Sequence, residues 1–194
     1  MRVLIDACVL FPTVLREMVV GAAAAGGFAP LWSARILEEW ARATRRLPEG
    51  AEAVARGEIA LLRAAWPEAE VAVAEELVAG LSLPDPADRH VLAAAIAGGA
   101  EVLLTLNRRD FPTRTLARHG ILLREPDGFL VELLEEGVDL GRVAAGAQAR
   151  AEAASGRDQP LRTLLKRAGL PRLGKALAGR AGVRGEAAGR PGNG

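Results

Sequence analysis

Two short apolar runs, roughly a hundred residues apart, constrain the fold more than any other feature of the sequence. Residues 2–6 and 102–106 are rich in Val, Leu and Ile and are too short to form independent helices, which predicts two buried strands. The first run ends at Asp6 and the second is followed by Asn107. Helical patterns fill the chain between the two runs, and this alternation is typical of an α/β fold with a central parallel sheet.

Weaker patterns complete the predicted architecture. Further strands are expected at residues 28–32 and 121–123. Helices are expected over residues 13–25, from the N-cap Ser33 to Leu47, over 51–65 and 67–80, from Asp85 to Ile96, and from Pro126 onward.

The predicted helix that follows Ser33 contains two adjacent glutamates, Glu38 and Glu39, which are expected to point in different directions. Its buried face is defined by residues that recur at helical spacing, namely Ile36, Trp40, Ala43, Thr44 and Leu47. At 100° per residue, Glu39 lies at the margin of this face and Glu38 points toward solvent. Glu39 is therefore the better candidate for a site.

A second acidic pair opens the helix that begins near residue 85. Asp85 suits the N-cap and Pro86 the first helical position, so Asp85 is either a cap or a member of a site. Asp88 shares the buried stripe of its helix with Val91, Leu92 and Ala95, whereas Arg89 and His90 are expected to turn away from it. A carboxylate aligned with a buried stripe needs a chemical reason.

Composition limits the class of protein. Half of the 194 residues are hydrophobic, which is enough for a folded core, and the single cysteine, Cys8, cannot form an internal disulfide. Cys8 is expected to be a small core residue rather than a nucleophile. We find no signal peptide and no membrane-spanning run, since Asp6 and Glu17 interrupt the N-terminal apolar stretch, and we therefore expect a cytoplasmic protein.

Charge is distributed unevenly along the chain. Residues 1–141 contain 14 basic and 21 acidic side chains, whereas residues 142–194 contain 11 basic and 3 acidic ones. The basic segment is either a nucleic-acid contact or a solvated helix with a frayed tail.

The strand ends suggest a metal site, because the carboxyl ends of parallel strands form the usual ligand crevice of such folds. Oxygen ligands favour Mg²⁺ or Mn²⁺, and two histidines with one cysteine make a zinc site improbable. Such a cation promotes phosphodiester hydrolysis. The alternative, in which Asp6 accepts a phosphoryl group, is weakened because Cys8 stands where a phosphatase would place a second aspartate. Phosphate-binding, dinucleotide-binding and nucleophile-elbow motifs are absent from the sequence.

Four blocks of sequence resemble the PIN-domain family in their order and spacing: residues 4–10, 33–40, 85–95 and 104–112. The resemblance implies a three-layer α/β/α fold over residues 1–125 and an Mg²⁺- or Mn²⁺-dependent ribonuclease. In bacterial members of this size it further implies the toxin half of a VapC-type toxin–antitoxin pair.

Carried over by position, the resemblance makes Asp6, Glu39, Asp88 and Asp110 the catalytic carboxylates, with Asp6, Asp88 and Asp110 as metal ligands. Asp85, Asn107 and Thr105 are auxiliary candidates. Thr105 either orients the site through its hydroxyl group or only packs.

Two residues depart from the family pattern. Asn107 stands where many members have an aspartate, and Cys8 replaces an asparagine, which is expected to weaken hydrogen bonding around Asp6. Asn107 and the basic C-terminal segment favour the alternative of a catalytically impaired PIN-like module that binds RNA or a protein.

The C-terminal part resembles the helical extension of some PIN-family toxins. We predict a helical extension over residues 126–178 and a disordered tail over residues 179–194. The resemblance also implies an RNA substrate, a cognate antitoxin and a homodimer.

Overall fold

A four-stranded parallel sheet forms the centre of the protein in a computed structural model, which describes residues 1–188. Its strands are β1 (Arg2–Ile5), β2 (Ala29–Leu31), β3 (Val102–Leu104) and β4 (Leu122–Arg124), in the order β2-β1-β3-β4. In the central pair, Val3 lies opposite Val102 and Leu4 lies opposite Leu103. All four predicted strands are therefore confirmed.

Eleven helices in the described part of the chain surround this sheet. They are α1 (Ala7–Leu10), α2 (Thr13–Ala24), α3 (Ala34–Ala43), α4 (Ala51–Ala65), α5 (Glu75–Gly80), α6 (Arg89–Ala97), α7 (Thr113–Ala117), α8 (Pro126–Glu135), α9 (Leu140–Ser155), α10 (Leu161–Arg167) and α11 (Pro171–Ala188). The Ser33 cap is confirmed, because its side chain accepts a hydrogen bond from the Ile36 amide at 3.3 Å. Asp85 also caps as predicted, before a single 3₁₀ turn over Pro86–Asp88 that leads into α6.

Burial shows that helices cover both faces of the sheet. Side chains of successive strand residues point to opposite faces. The consecutive residues of β1 (Val3, Leu4 and Ile5) and those of β3 are nevertheless all buried. The expected three-layer α/β/α arrangement is therefore confirmed, and the two central strands lie inside it.

The region between α4 and α5 differs from the prediction of a continuous helix over residues 67–80. Only Glu75–Gly80 is helical. The preceding segment is extended and pairs with the chain beyond β2, where the Trp32 amide bonds to the Ala69 carbonyl and the Val71 amide bonds to the Trp32 carbonyl. Pairing with this edge of the sheet outweighs the helical propensity of the alanine-rich segment.

Leu47 is also placed differently from the prediction. Helix α3 ends at Ala43, and one 3₁₀ turn changes the direction of the chain. The side chain of Leu47 is consequently 49% exposed and does not continue the buried face of α3.

The helices beyond residue 126 share one core with the sheet. Phe129 of α8 packs edge to face against Phe28, with their ring centroids 5.3 Å apart. Helix α9 packs against α2, where Gly21 gives Val143 room for close contact. The boundary at residue 125, between an α/β domain and a helical extension, stays a prediction.

Helix α11 extends past the predicted start of the disordered tail at residue 179. The helix spans Pro171–Ala188, and the start of the disordered tail at residue 179 stays a prediction. Residues 189–194 of the predicted tail lie outside the described residues. Within the described region, no helix combines the length and apolar character needed to cross a membrane.

Candidate metal centre

The candidate site lies beyond the carboxyl ends of β1 and β3, the two central strands. Asp6 directly follows β1, and its amide bonds to the Leu104 carbonyl at 3.1 Å. Thr105 and Asn107 follow β3. Because the two strands are neighbours, these residues come together across a sequence separation of about a hundred positions.

Thr105 orients Asp6. Its hydroxyl donates a hydrogen bond to Oδ2 of Asp6 at 2.6 Å and accepts one from the Asn107 amide at 2.9 Å. Thr105 is fully buried and Asp6 is 8% exposed. A buried carboxylate needs such partners, so the hydroxyl has a clear role and the interpretation that Thr105 only packs is wrong.

Cys8 also contacts Asp6. Its Sγ donates to Oδ2 of Asp6 at 3.1 Å and accepts from the Leu106 amide at 3.3 Å. Burial, followed by the negative charge of Asp6, raises the pKa of the Cys8 thiol to about 12. The thiol therefore stays protonated at neutral pH, acts as a weak donor to Asp6 and is unsuited to nucleophilic attack.

Three further aspartates form a compact group beside these residues. Asp85, Asp88 and Asp110 each place a carboxylate oxygen within 4.8 Å of the others. Asp85 also accepts from the Ala87 amide at 2.8 Å, so it is both a cap and a member of the group. Three carboxylates this close form a site that favours a cation.

Asn107 bridges two members of this aspartate group. Its Nδ2 donates to Oδ2 of Asp110 at 2.6 Å and to Oδ2 of Asp88 at 3.3 Å. The amide satisfies these oxygens without adding the positive charge that a cation would add. Asn107 thus ties the end of β3 to the start of α6.

The electrostatics of Asp88 reflect this crowding. Burial, followed by the charges of Asp6, Asp85 and Asp110, raises its pKa to about 6, and His90 opposes the shift. Asp6 therefore lies close enough to influence Asp88, although it is outside the group whose oxygens meet within 4.8 Å. Repulsion among carboxylates of this kind is relieved by a divalent cation, and the oxygen donors suit Mg²⁺ or Mn²⁺.

A pH dependence follows from the raised pKa of Asp88. Its usual pKa is 3.8, so between about pH 4 and pH 6 the folded protein retains a proton that the unfolded chain has released. Asp88 therefore makes the metal-free fold less stable as pH rises through this window. We expect the melting temperature of Asp88→Asn, minus that of the wild type in EDTA, to grow from pH 4 to pH 6.

The exposed Asp158, between α9 and α10, provides the matched control. Asp158→Asn is expected to leave the melting profile of the wild type unchanged. A difference in melting temperature between Asp88→Asn and the wild type that stays constant across this pH range would contradict the raised pKa of Asp88.

Glu39 lies outside the aspartate group and has its own partners. Its Oε1 contacts Nε2 of His90 at 2.8 Å and Nε of Arg35 at 3.4 Å. Glu38 instead binds Arg42 and Arg56, which confirms that the two glutamates point in different directions.

The buried position of His90 corrects the prediction that it turns away from the buried stripe of α6. The side chain is only 4% exposed, and the five residues that follow it are also buried. Helix α6 is apolar on nearly all sides from Val91 onward, and such a helix is buried all round. This pattern could have identified His90 as a partner for a site residue.

Comparisons with known proteins agree with this architecture. A stretch of 48 residues is 46% identical to the Mycobacterium tuberculosis protein named "Putative ribonuclease VapC50". The match covers 25% of this chain and 28% of the length of that relative. No solved structure matches the chain significantly.

A model of the PIN domain matches residues 2–109, which is more than half of the 194 residues. The matched region runs from β1 through β3 and contains Asp6, Glu39, Asp88 and Asn107, and Asp110 is the next residue. The chain therefore belongs to the PIN-domain family.

Proposed function

We propose that this protein is a metal-dependent endoribonuclease that hydrolyses phosphodiester bonds of RNA. One observation carries the proposal: in a member of the PIN-domain family, the carboxylates of Asp85, Asp88 and Asp110 converge beside Asp6 at the carboxyl edge of the sheet. Hard oxygen donors at this position suit a cation that acts on a phosphate.

Asp6, Asp88 and Asp110 are the proposed ligands, and the cation is Mg²⁺ or Mn²⁺. When bound, the cation would supply activation of water and neutralisation of charge on the scissile phosphate. The raised pKa of Asp88 supports this fit, because burial and, after it, the charges of neighbouring aspartates both disfavour the ionised form, and a cation would offset both effects. The geometry of Asp6 is set beforehand by Thr105 and Cys8.

Glu39 is the fourth proposed catalytic carboxylate. Arg35 and His90 hold its Oε1, so its orientation is restricted even though the side chain is 39% exposed. Its exposed position suits contact with substrate. Asp85 and Asn107 are proposed as auxiliary residues, Asp85 through its cap on Ala87 and Asn107 through its bonds to the two aspartates.

The test is cleavage of a mixed-sequence single-stranded RNA by purified protein in Mn²⁺ and in EDTA. We expect cutting in Mn²⁺, none in EDTA, and recovery when Mn²⁺ is added back in excess. Asp6→Asn protein purified in parallel measures any contaminating nuclease. Equal cutting by the wild type and by this variant would refute the proposal.

The toxin role is the finer part of the proposal and is supported by the partial match to a VapC-named relative. We infer a cytoplasmic toxin that acts as a homodimer and is neutralised by a cognate antitoxin protein. Expression of this chain alone is expected to arrest growth, and co-expression of a small DNA-binding protein encoded beside it is expected to relieve the arrest. Sedimentation of the purified chain tests the dimer.

A second candidate function is a PIN-like module that binds RNA or protein without cutting. Asn107 favours it, because an amide takes the place of a charged ligand and already bonds to Asp88 and Asp110. RNA retention without metal-dependent cutting by the wild type would support the module.

Asn107→Asp separates the two candidates. The added carboxylate is expected to raise Mn²⁺ affinity by about tenfold, since divalent-cation affinity depends on ligand charge. It should also lower the melting temperature in EDTA by adding repulsion to the aspartate group. Calorimetric titration with Mn²⁺ and thermal melting check both effects, and unchanged affinity would contradict a cation site at Asn107.

The cleavage assay of the same variant then shows which of the two candidate functions the wild type has. A non-cutting wild type with a cutting Asn107→Asp variant would identify an impaired module. An active wild type would identify the nuclease.

A further inference from the structure

Positive charge is concentrated on the last two helices, without acidic residues to balance it. Residues 161–180, which comprise α10 and the first part of α11 and are called here the basic hairpin, contain six basic side chains and no acidic one. All six are exposed, and none forms a salt bridge within residues 1–180: Arg162, Lys166, Arg167, Arg172, Lys175 and Arg180. A surface of this kind attracts an anionic partner.

The start of α11 is fixed beside the carboxyl end of β4. Asp127, in the first turn of α8, accepts hydrogen bonds from the amides of Arg172 at 3.0 Å and Leu173 at 2.9 Å. A Cβ atom at Gly128 would lie 3.2 Å from Nη1 of Arg172, so the guanidinium group lies against the same turn. Because α8 begins just after β4, the basic hairpin is held at the edge of the sheet that carries the metal centre.

A recess of about 440 Å³ lies between Arg172 and the metal centre. It is lined by residues that follow β3, by the end of β4, by the first turn of α8 and by the start of α11. Leu106 and Arg108 belong to this lining and flank Asn107 of the metal centre. A strand of RNA that crosses the recess would therefore run from the metal centre to the basic hairpin.

Most charges that line the recess are already balanced. Arg108 pairs with Glu125 at 3.4 Å, and Arg124 pairs with Glu132 at 3.3 Å. The carboxylate in the first turn of α8 accepts the two amides of α11 described above. Within residues 1–180, Arg172 is thus the cation of this lining that has no salt bridge, and it continues into the basic hairpin.

The remainder of the chain disfavours binding of a polyanion. Residues 1–141 contain 14 basic and 21 acidic side chains, and the metal centre itself is built from aspartates. RNA carries a negative charge at every phosphate, so its affinity depends on positive charge elsewhere on the protein. The basic hairpin supplies that charge, and its position beside a centre proposed to act on a phosphate favours RNA over an acidic protein.

We propose that Arg172 and Lys175 of the basic hairpin bind phosphates of the RNA substrate a few nucleotides from the scissile bond, with the strand crossing the recess between them and the metal centre. The two side chains are three residues apart and are therefore neighbours on α11. The proposal rests on the nuclease function. Contacts to phosphate hold a strand in register without reading its bases, so the affinity should not depend on RNA sequence.

Binding without metal tests the proposal independently of cleavage. Fluorescence anisotropy in EDTA measures the affinity of a short fluorescein-labelled single-stranded RNA of mixed sequence over a range of salt concentrations. We expect Arg172→Gln/Lys175→Gln to bind about tenfold more weakly at low salt. The slope of log affinity against log salt should fall by about 1.4, since each phosphate contact of a single strand contributes about 0.7. Unchanged affinity and slope would overturn the proposal.

Two further variants assign the loss to the position of the charges. Arg46→Gln/Arg118→Gln removes two exposed arginines that also lack a salt bridge within residues 1–180, and Arg118 precedes the amino end of β4, at the opposite edge of the sheet. It should keep the wild-type affinity within about twofold, and Arg172→Lys/Lys175→Arg should do the same because it keeps both charges. An equal loss in the Arg46 and Arg118 variant would show that net charge, rather than the basic hairpin, determines binding, and would overturn the proposal.

An acidic protein is the other class of partner that the basic hairpin could bind. A fluorescein-labelled peptide of glutamates with the same number of charges as the RNA provides the comparison. We expect the wild type to bind the RNA more tightly than the peptide. Tighter binding of the peptide that is lost in Arg172→Gln/Lys175→Gln would assign the basic hairpin to an acidic protein and overturn the RNA contact.

The cleavage assay in Mn²⁺ separates this proposal from the nuclease function. For Arg172→Gln/Lys175→Gln we expect KM for RNA to rise about tenfold and kcat to stay within about twofold, since the contact is made equally in the bound substrate and in the transition state. Cutting by the wild type with a KM that these substitutions leave unchanged would support the nuclease and reject the contact. RNA binding that depends on the two residues, in a protein that cuts no RNA, would support the contact and reject the nuclease.

Discussion

Asp6→Asn is expected to reduce Mn²⁺-dependent RNA cleavage by at least about a thousandfold, which corresponds to about 4 kcal/mol of transition-state stabilisation. Asp6 is held in place by hydrogen bonds from Thr105 at 2.6 Å and from Cys8 at 3.1 Å. Asparagine keeps the shape of the side chain and removes its charge. Initial rates on a labelled single-stranded RNA measure the loss.

The same variant should be more stable than the wild type when metal is removed. Asp6 contributes to the repulsion that raises the pKa of Asp88, so removing its charge relieves the acidic group. We expect the melting temperature in EDTA to rise by about 3 °C and the stabilisation by Mn²⁺ to shrink.

Asp158→Asn controls for the loss of one negative charge on an exposed loop. It is expected to keep wild-type cleavage, melting temperature and response to Mn²⁺. Full cleavage by Asp6→Asn would remove Asp6 from the mechanism. A lowered metal-free melting temperature would show that its hydrogen bonds matter more than its repulsion.

Arg16→Met should produce the largest loss of stability away from the metal centre. The guanidinium group of Arg16 is buried, donates to the Leu10 carbonyl at 2.6 Å and pairs with Glu58 at 2.6 Å. It also lies 4.5 Å from the ring centroid of Trp40. One side chain thus connects α2 to the end of α1, to α3 and to α4.

Methionine preserves the apolar stem of Arg16 but leaves the Leu10 carbonyl without its donor. Because Glu58 is 39% exposed, it can be solvated after the change, and the expected cost is at the lower end for a broken buried pair, about 3 kcal/mol. For a protein of this size the melting temperature should fall by about 6 to 12 °C. Differential scanning calorimetry measures the loss.

Arg150→Met is the matched comparison, because Arg150 also pairs with a glutamate of α2, Glu17, at 2.9 Å. Its side chain is 60% exposed, so the pair contributes little and the melting temperature should change by less than about 3 °C. Similar losses in the two variants would show that burial does not distinguish the two arginines.

Much of the fold and part of the candidate site could be predicted from local sequence. Strands β1 and β3 are short apolar runs, and their ends place Asp6 and Thr105 at one edge of the sheet. Asp85 is identified as a cap because the chemistry of a helix N-terminus is local. Residues 67–74 could not be predicted in this way, since their extended form depends on pairing with Trp32.

The sequence by itself determined the parallel α/β architecture and the order of the acidic residues, because apolar periodicity and capping act over a few neighbouring positions. Only the tertiary structure decided which polar groups meet. Burial of α6 on nearly all sides brings His90 to Glu39, and the adjacency of β1 and β3 brings Thr105 and Cys8 to Asp6. These contacts join residues as far as 99 positions apart, so local pattern does not contain them.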